Sequence, residues 1–177
     1  MIITFDMLTE KSACREGMME WFTENFKDKA DYVKLMAALA AAGKTDWAMW
    51  AIQNLGSTKD VLELDELVVD GDFFYPSAIN VTGKIEVKGS LIAGWYIKAG
   101  GWIEAVGDIE AGGYIEAGWS IKAGWSIKAG GWIEAGEDFG IYAGISRRLS
   151  QQDQYGYITA KTKPERIQTG VWKPLNK

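Results

Sequence analysis

The 177-residue chain contains no histidine. That absence excludes His-based catalytic triads, proton shuttles and imidazole metal sites. A single cysteine, Cys14, rules out an internal disulfide and a thiolate metal cluster, and suits a reducing cytosol. Nowhere do about 18 apolar residues run uninterrupted, so no transmembrane helix is expected. The opening MIITFDMLTEKSAC lacks the basic-then-apolar order of a secretory signal. A carboxylate site for magnesium or calcium would need a motif, and there is none. The GxGxxG-like strings fall in glycine-rich turns and carry no phosphate-loop meaning. The chain is therefore expected to be no enzyme, with no catalytic residue, metal or cofactor, and to stay in the cytoplasm.

What is present is an uneven charge and a strict period. The net charge is −5 and 47% of residues are apolar, enough for a real core. Residues 1–66 hold 7 basic and 12 acidic side chains, residues 67–145 hold 5 and 10, and residues 146–177 hold 7 and 2. A basic tail thus follows an acidic body. It either meets an anionic partner or lies on its own acidic solenoid, and the second is the simpler expectation.

The period is six. A large apolar residue stands at Leu67, Phe73, Ile79, Ile85, Leu91, Ile97, Ile103, Ile109, Ile115, Ile121, Ile127, Ile133, Phe139 and Ile145. Two positions later the residue is Val69, Tyr75, Val81 or Val87, then Ala from Ala93 to Ala135. Such self-similarity marks a solenoid. In Trp102-Ile103-Glu104-Ala105, alternation sends Ile103 and Ala105 inward and Trp102 and Glu104 outward. The Gly that usually follows is expected to turn the chain by adopting positive φ. Three units would make an 18-residue coil, two a flat 12-residue coil. At spacing 18 the outward residues before the Ile align as Tyr96, Tyr114 and Trp132, all aromatic. Charge pairing at spacing 12 is slightly better, yet a two-sided coil leaves thin room for an Ile column. Three sides are the expectation.

Before the repeat, residues 1–56 read as three helices. Ser12 caps one from Ala13 to about Phe26, with Met18, Trp21, Phe22 and Phe26 on one face. Asp31 caps a second, through Leu35 and Leu39 to a stop at Gly43. Thr45 or Asp46 caps a third, with Trp47, Trp50, Ala51 and Leu55 at helical spacing, closed by Gly56. Three short helices bury little alone, so they are expected to cap the first coil. Residues 57–66 read as a polar connector, 67–145 as the solenoid, and 146–177 as closing strands with a basic tail, entered through a loop over Ser150 to Gln154. The fold class is α+β: a helical cap followed by a parallel β-solenoid.

Three resemblances accompany these patterns. Leu8, Lys11, Ala13-Cys14, Trp21-Phe22, Phe26 and Asp46-Trp47-Ala48 resemble a small helical module of uncharacterised phage and bacterial proteins, over roughly residues 5–55. This likeness implies a phage or mobile-element setting. The six-residue period resembles the hexapeptide-repeat acyltransferases. That family places its small residue two before the aliphatic one and uses a catalytic His, and this chain does neither. The short Ile-charge-small-Gly unit also resembles bactofilin-like filament formers, which implies self-assembly. A helical cap across one end would block one growing face.

Function is therefore expected in the outward residues. Tyr96, Trp102, Tyr114 and Trp132 form an aromatic strip suited to a partner; alternatively, they shield glycine-rich corners. Glu104, Glu110, Glu116 and Glu134, with Asp108, Glu137 and Asp138, would make an acidic face. Arg147-Arg148 would clamp a carboxylate or phosphate. Trp95, Trp119 and Trp125 stand where other units carry Gly, which points to size matching at corners. The reading is a non-catalytic protein that binds a host enzyme or effector complex, by analogy an inhibitor of the anti-CRISPR kind. It would contact neither membrane nor, directly, nucleic acid, and a homodimer is compatible with it. Self-assembly and carbohydrate binding by the aromatic column are the alternatives.

Overall fold

The computed structural model describes residues 1–11, 17–146 and 156–175. Ser12, Ala13, Cys14, Arg147, Arg148 and the loop expected over Ser150 to Gln154 lie outside these residues. The chain opens with β1 (Ile2–Thr4), α1 (Phe5–Glu10), α2 (Met18–Phe26), β2 (Lys29–Asp31), α3 (Tyr32–Ala41) and α4 (Thr45–Leu55). The described residues thus hold four helices where the sequence patterns suggested three. The additional one, α1, is capped by Thr4, whose side chain accepts from Met7 N. Gly17, at φ 81°, stands at the start of α2, so no helix runs straight from Ala13 to Phe26. Asp31 caps α3, its Oδ1 accepting from Val33 N at 3.0 Å and Lys34 N at 3.3 Å. At α4 the cap position is Lys44, with no side-chain bond, rather than Thr45 or Asp46.

A parallel β-solenoid of about six turns follows. Its first coil is β3 (Val61–Leu64), β4 (Leu67–Val69) and β5 (Phe73–Tyr75). The second is β6 (Ala78–Val81), β7 (Ile85–Val87) and β8 (Leu91–Ala93), the third β9 (Ile97–Ala99), β10 (Ile103–Ala105) and β11 (Ile109–Ala111). The fourth is β12 (Ile115–Ala117), β13 (Ile121–Ala123) and β14 (Ile127–Ala129). The fifth is β15 (Ile133–Glu134), β16 (Ile141–Ala143) and β17 (Tyr157–Ala160), and β18 (Ile167–Thr169) and β19 (Val171–Pro174) begin the sixth. Strands stack into a first sheet β3-β6-β9-β12-β15, a second β4-β7-β10-β13-β16-β18 and a third β5-β8-β11-β14-β17-β19. Ile103 pairs with Ile121, Ile109 with Ile127 and Ile97 with Ile115, an offset of eighteen. The inward Ile column and its Ala companions are buried from Ile79 to Ala160.

Three features depart from the sequence patterns. The segment read as a connector contains β3, whose Leu62 and Leu64 pair with Ile79 and Val81. Leu62 falls five residues before Leu67, off the six-residue phase, which concealed it. The phase also slips after Ile133. Phe139 and Ile145 are 39% and 42% exposed, and Ile141 takes the inward place, pairing with Ile121. A turn closed by Phe139 N donating to Gly136 O at 3.0 Å absorbs two additional residues there. Finally, the corner glycines from Gly94 to Gly136 do not adopt positive φ, which within the described solenoid occurs at Gly71, Gly144, Arg166 and Gly170. A Cβ on Gly118 would instead collide with the carbonyl oxygen of Gly100 in the coil before it, and one on Gly124 with that of Val106. Glycine is needed there for the close approach of stacked backbones.

The helices pack along the flank of the solenoid, and α3 reaches the rim of its first coil. Phe74 and Ile92, the outward residues of β5 and β8, belong to the helical core with Leu8, Phe22, Tyr32, Leu35, Met36 and Leu39. Met49, Ile52 and Gln53 of α4 continue over Ile92, Glu110 and Lys128 of the third sheet. Two apolar residues at positions otherwise charged therefore fix which side the helices cover.

Candidate functional site

Outward residues form one column per sheet. The first sheet carries Asn80, Lys98, Glu116 and Glu134, the second Val68, Glu86, Glu104, Lys122 and Tyr142, and the third Phe74, Ile92, Glu110 and Lys128. The expected single acidic face does not form. With three units per coil, residues six apart fall on different sheets, so Glu104, Glu110 and Glu116 face three directions. Of these acids only Glu116 and Glu134 share a column, and Glu104 stands beside Glu86 on the second sheet. The lysines intervene along each column: Lys98 Nζ lies 2.8 Å from Glu116, Lys128 3.6 Å from Glu110 and Lys122 4.0 Å from Glu104. The hydrogen bond to Glu116 raises the Lys98 ammonium above its ordinary range. Such exposed pairs contribute about 0–1 kcal/mol each, but they neutralise the acidic rows.

Glu110 differs from the other acids because α4 covers it. Burial pushes its carboxyl above the usual range, Asp108 and Asp46 push the same way, and Lys128 only partly opposes them.

The corners gather the aromatics. Tyr96, Tyr114 and Trp132 stack where the chain enters the first sheet, with centroids 4.8 and 4.5 Å apart and planes within 6° and 4° of parallel. Trp95 meets Tyr96 edge-on at 5.1 Å. Its ring occupies the space that a Cβ on Gly113 would need, which is the size matching implied by the Trp–Gly alternation. Where the chain leaves the first sheet, Trp102 packs on Trp119 at 5.3 Å and Trp119 stacks on Phe139 at 5.7 Å. Two aromatic rails therefore border the first sheet. Their ring faces are turned toward one another, so the column presents mainly edges outward, with Trp132 at its end 47% exposed. A sugar platform needs free ring faces. Beside Trp132 a groove of about 730 Å³ opens, lined by Glu116, Glu134 and Glu137 and by Lys163, Glu165 and Arg166 of the last coil.

The third corner carries a ladder that pairwise charge reasoning missed. Asp72 Oδ1 accepts from Ser90 N at 2.7 Å, Ser90 Oγ from Asp108 N at 3.2 Å, Asp108 Oδ1 from Ser126 N at 2.8 Å, and Ser126 Oγ from Tyr157 N at 3.3 Å. Asp108 thus belongs to a structural column rather than an acidic face. Its sequence signal was the alternation Asp72, Ser90, Asp108, Ser126 at spacing eighteen. Of the described part of the basic tail, Arg166 donates to Ala135 O at 3.4 Å, and Tyr157–Ala160, Ile167–Thr169 and Val171–Pro174 form closing strands.

Comparison with known proteins covers the helical part. Residues 1–58 match the family model of the YdhT N-terminal domain. No curated protein and no solved structure matches the chain.

Proposed function

We propose that the chain is a non-catalytic binding protein that offers the first sheet of its solenoid, with its two aromatic rails, to a protein partner. One observation carries the reading. The helices cover part of the third sheet, while among the described residues no helix packs on the first, whose corners carry Trp95, Trp119 and Trp132, each 47–48% exposed. Aromatic rims around a flat, rigid, charged surface suit protein contact. The interlocked Lys–Glu columns favour a protein surface of mixed charge over a groove built for phosphates. The sharper form, an inhibitor of a host defence or nucleic-acid enzyme carried by a phage or mobile element and acting in the host cytoplasm, draws its support from the resemblance of the N-terminal module. Among the described residues no helix is long and apolar enough to cross a membrane. The edge-outward stacking of Tyr96, Tyr114 and Trp132 speaks against the carbohydrate alternative.

The test is affinity capture from host lysate with three baits: the native chain, Lys98→Glu/Trp132→Ser on the first sheet, and Glu104→Gln on the second. A stoichiometric protein held by the first and third baits and lost from the second supports the reading. No stoichiometric protein, or equal recovery by all three, overturns it.

A further inference from the structure

The two ends of the solenoid are open in complementary ways. The partly buried members of the repeat core sit at its extremities: Leu62, Leu64, Val69 and Phe73 in the first coil, Ile167 and Trp172 in the last. Each end therefore leaves apolar surface and three strand edges incompletely covered. At the first coil Leu62, Leu64 and Phe73 stay only partly buried. Val33, Ala37 and Ala41 of α3 form one wall of an apolar recess of about 500 Å³, whose other wall is Leu62, Phe73 and Tyr75.

The charges around these ends are opposite. From Lys59 to Asp72 the first coil carries Asp60, Glu63, Asp65, Glu66, Asp70 and Asp72 against Lys59 alone. The described last coil carries Lys161, Lys163, Arg166 and Lys173 against Glu165. Across a six-stranded sheet the ends stand about 24 Å apart, at about 4.8 Å per strand. A Debye length of about 8–10 Å means that they cannot neutralise each other within one molecule. Among the described residues Glu63 and Glu66 enter no ion pair within 4.0 Å, so their charge remains available to another molecule.

We propose that the chain associates with itself head to tail, the acidic first coil of one copy receiving the basic last coil of the next. The contact is heterologous, so it generates an open row of coaxial solenoids rather than a closed dimer. Pro174 in β19 and the register shift between β16 and β18 interrupt the donors of the terminal edge. The joint is therefore held by apolar contact and charge, not by an unbroken sheet, and is reversible by salt. The inference is independent of any partner on the first sheet.

The experiment is sedimentation velocity over a concentration series. At about 20 mM salt the average mass is expected to rise past twice the 19.6 kDa monomer, and at about 500 mM to return to it. Glu63→Lys/Glu66→Lys takes the first coil from −5 to −1 and leaves the basic last coil without its acidic partner, while Lys163→Glu/Arg166→Glu takes the last coil from +3 to −1. Each alone should stay monomeric at low salt, with an unchanged circular dichroism spectrum, while their equimolar mixture regains association. A native chain that stays monomeric at low salt overturns the proposal, as does either reversed variant associating alone or a mixture that stays monomeric. If a variant does not fold, the salt dependence of the native chain still decides.

Discussion

On the third sheet, β5 and β8 turn Phe74 and Ile92 outward, while β11 and β14 turn out Glu110 and Lys128. The backbone is the same and the inward residues are apolar throughout, yet the first pair is buried under helices and the second pair is an ion couple. The same contrast separates the two cores. The repeat core is one inward column, Ile over Ile at an offset of eighteen, in which each residue meets copies of itself. The helical core is individual: Phe22, Tyr32, Met36 and Trp50 occupy unlike surroundings, and Trp21 meets Trp47 edge-on at 5.8 Å. A periodic core tolerates any outward residue, because the outward side takes no part in it. An individual core needs an irregular apolar surface, and two exceptions in the outward column supply one.

The largest expected effect tests where the repeat core ends. Ile141→Ala should lose about 3 kcal/mol of unfolding free energy in urea, as a buried Ile truncation does. Phe139→Ala should lose only about 1 kcal/mol, the share of its stack on Trp119. Equal losses would mean that the six-residue phase continues through Phe139 after all. Next, Phe74→Ala should cost about 3 kcal/mol and make the helical module susceptible to protease at concentrations that spare the solenoid. Simultaneous cleavage of both would show that the two cores form one cooperative unit.

Much of this division was legible in the sequence. The inward Ile and Ala columns follow from the alternation alone, and the lysine–glutamate pairs at spacing eighteen are those that the structure forms. The covered flank was harder to see, because Phe74 and Ile92 become neighbours only after the coil length assigns both to one sheet. β3 was hidden by its five-residue step to Leu67, and the shift at Ile141 by two residues added between Gly136 and Phe139. The corner glycines were visible but assigned the wrong reason, since a backbone-to-backbone approach leaves no mark in one coil read by itself. The aromatic strip was found, but its side-by-side order on paper did not show that its rings face one another.

Two smaller effects sharpen the contrast between repetition and exception. Asp108→Ala removes one rung of the corner ladder and leaves Ser126 N without its acceptor, and should cost about 1 kcal/mol. Asp108→Asn, which keeps an acceptor, should restore most of it, and denaturation midpoints of the three proteins decide. Smallest is Glu110→Gln. Because burial holds the Glu110 carboxyl above its ordinary range, the folded state binds that proton more tightly than the unfolded one. Its contribution is therefore present below the usual carboxylate range and lost as pH rises through the raised value. The variant should be more stable than the native chain by about 0.5 kcal/mol at neutral pH, with the gap closing near about pH 4. A gap independent of pH would locate the effect elsewhere.

The corner ladder also has a direction. In every rung the accepting side chain belongs to the earlier coil and the donating N–H to the later one: Asp72 to Ser90, Ser90 to Asp108, Asp108 to Ser126, Ser126 to Tyr157. A chain leaving the ribosome therefore presents each new corner to an acceptor already in place. The backbone bonds at the same corner run the other way, Phe73 N donating to Ser90 O, Leu91 N to Asp108 O and Ile109 N to Ser126 O, so side chains and backbone together fix the register of each coil from both sides.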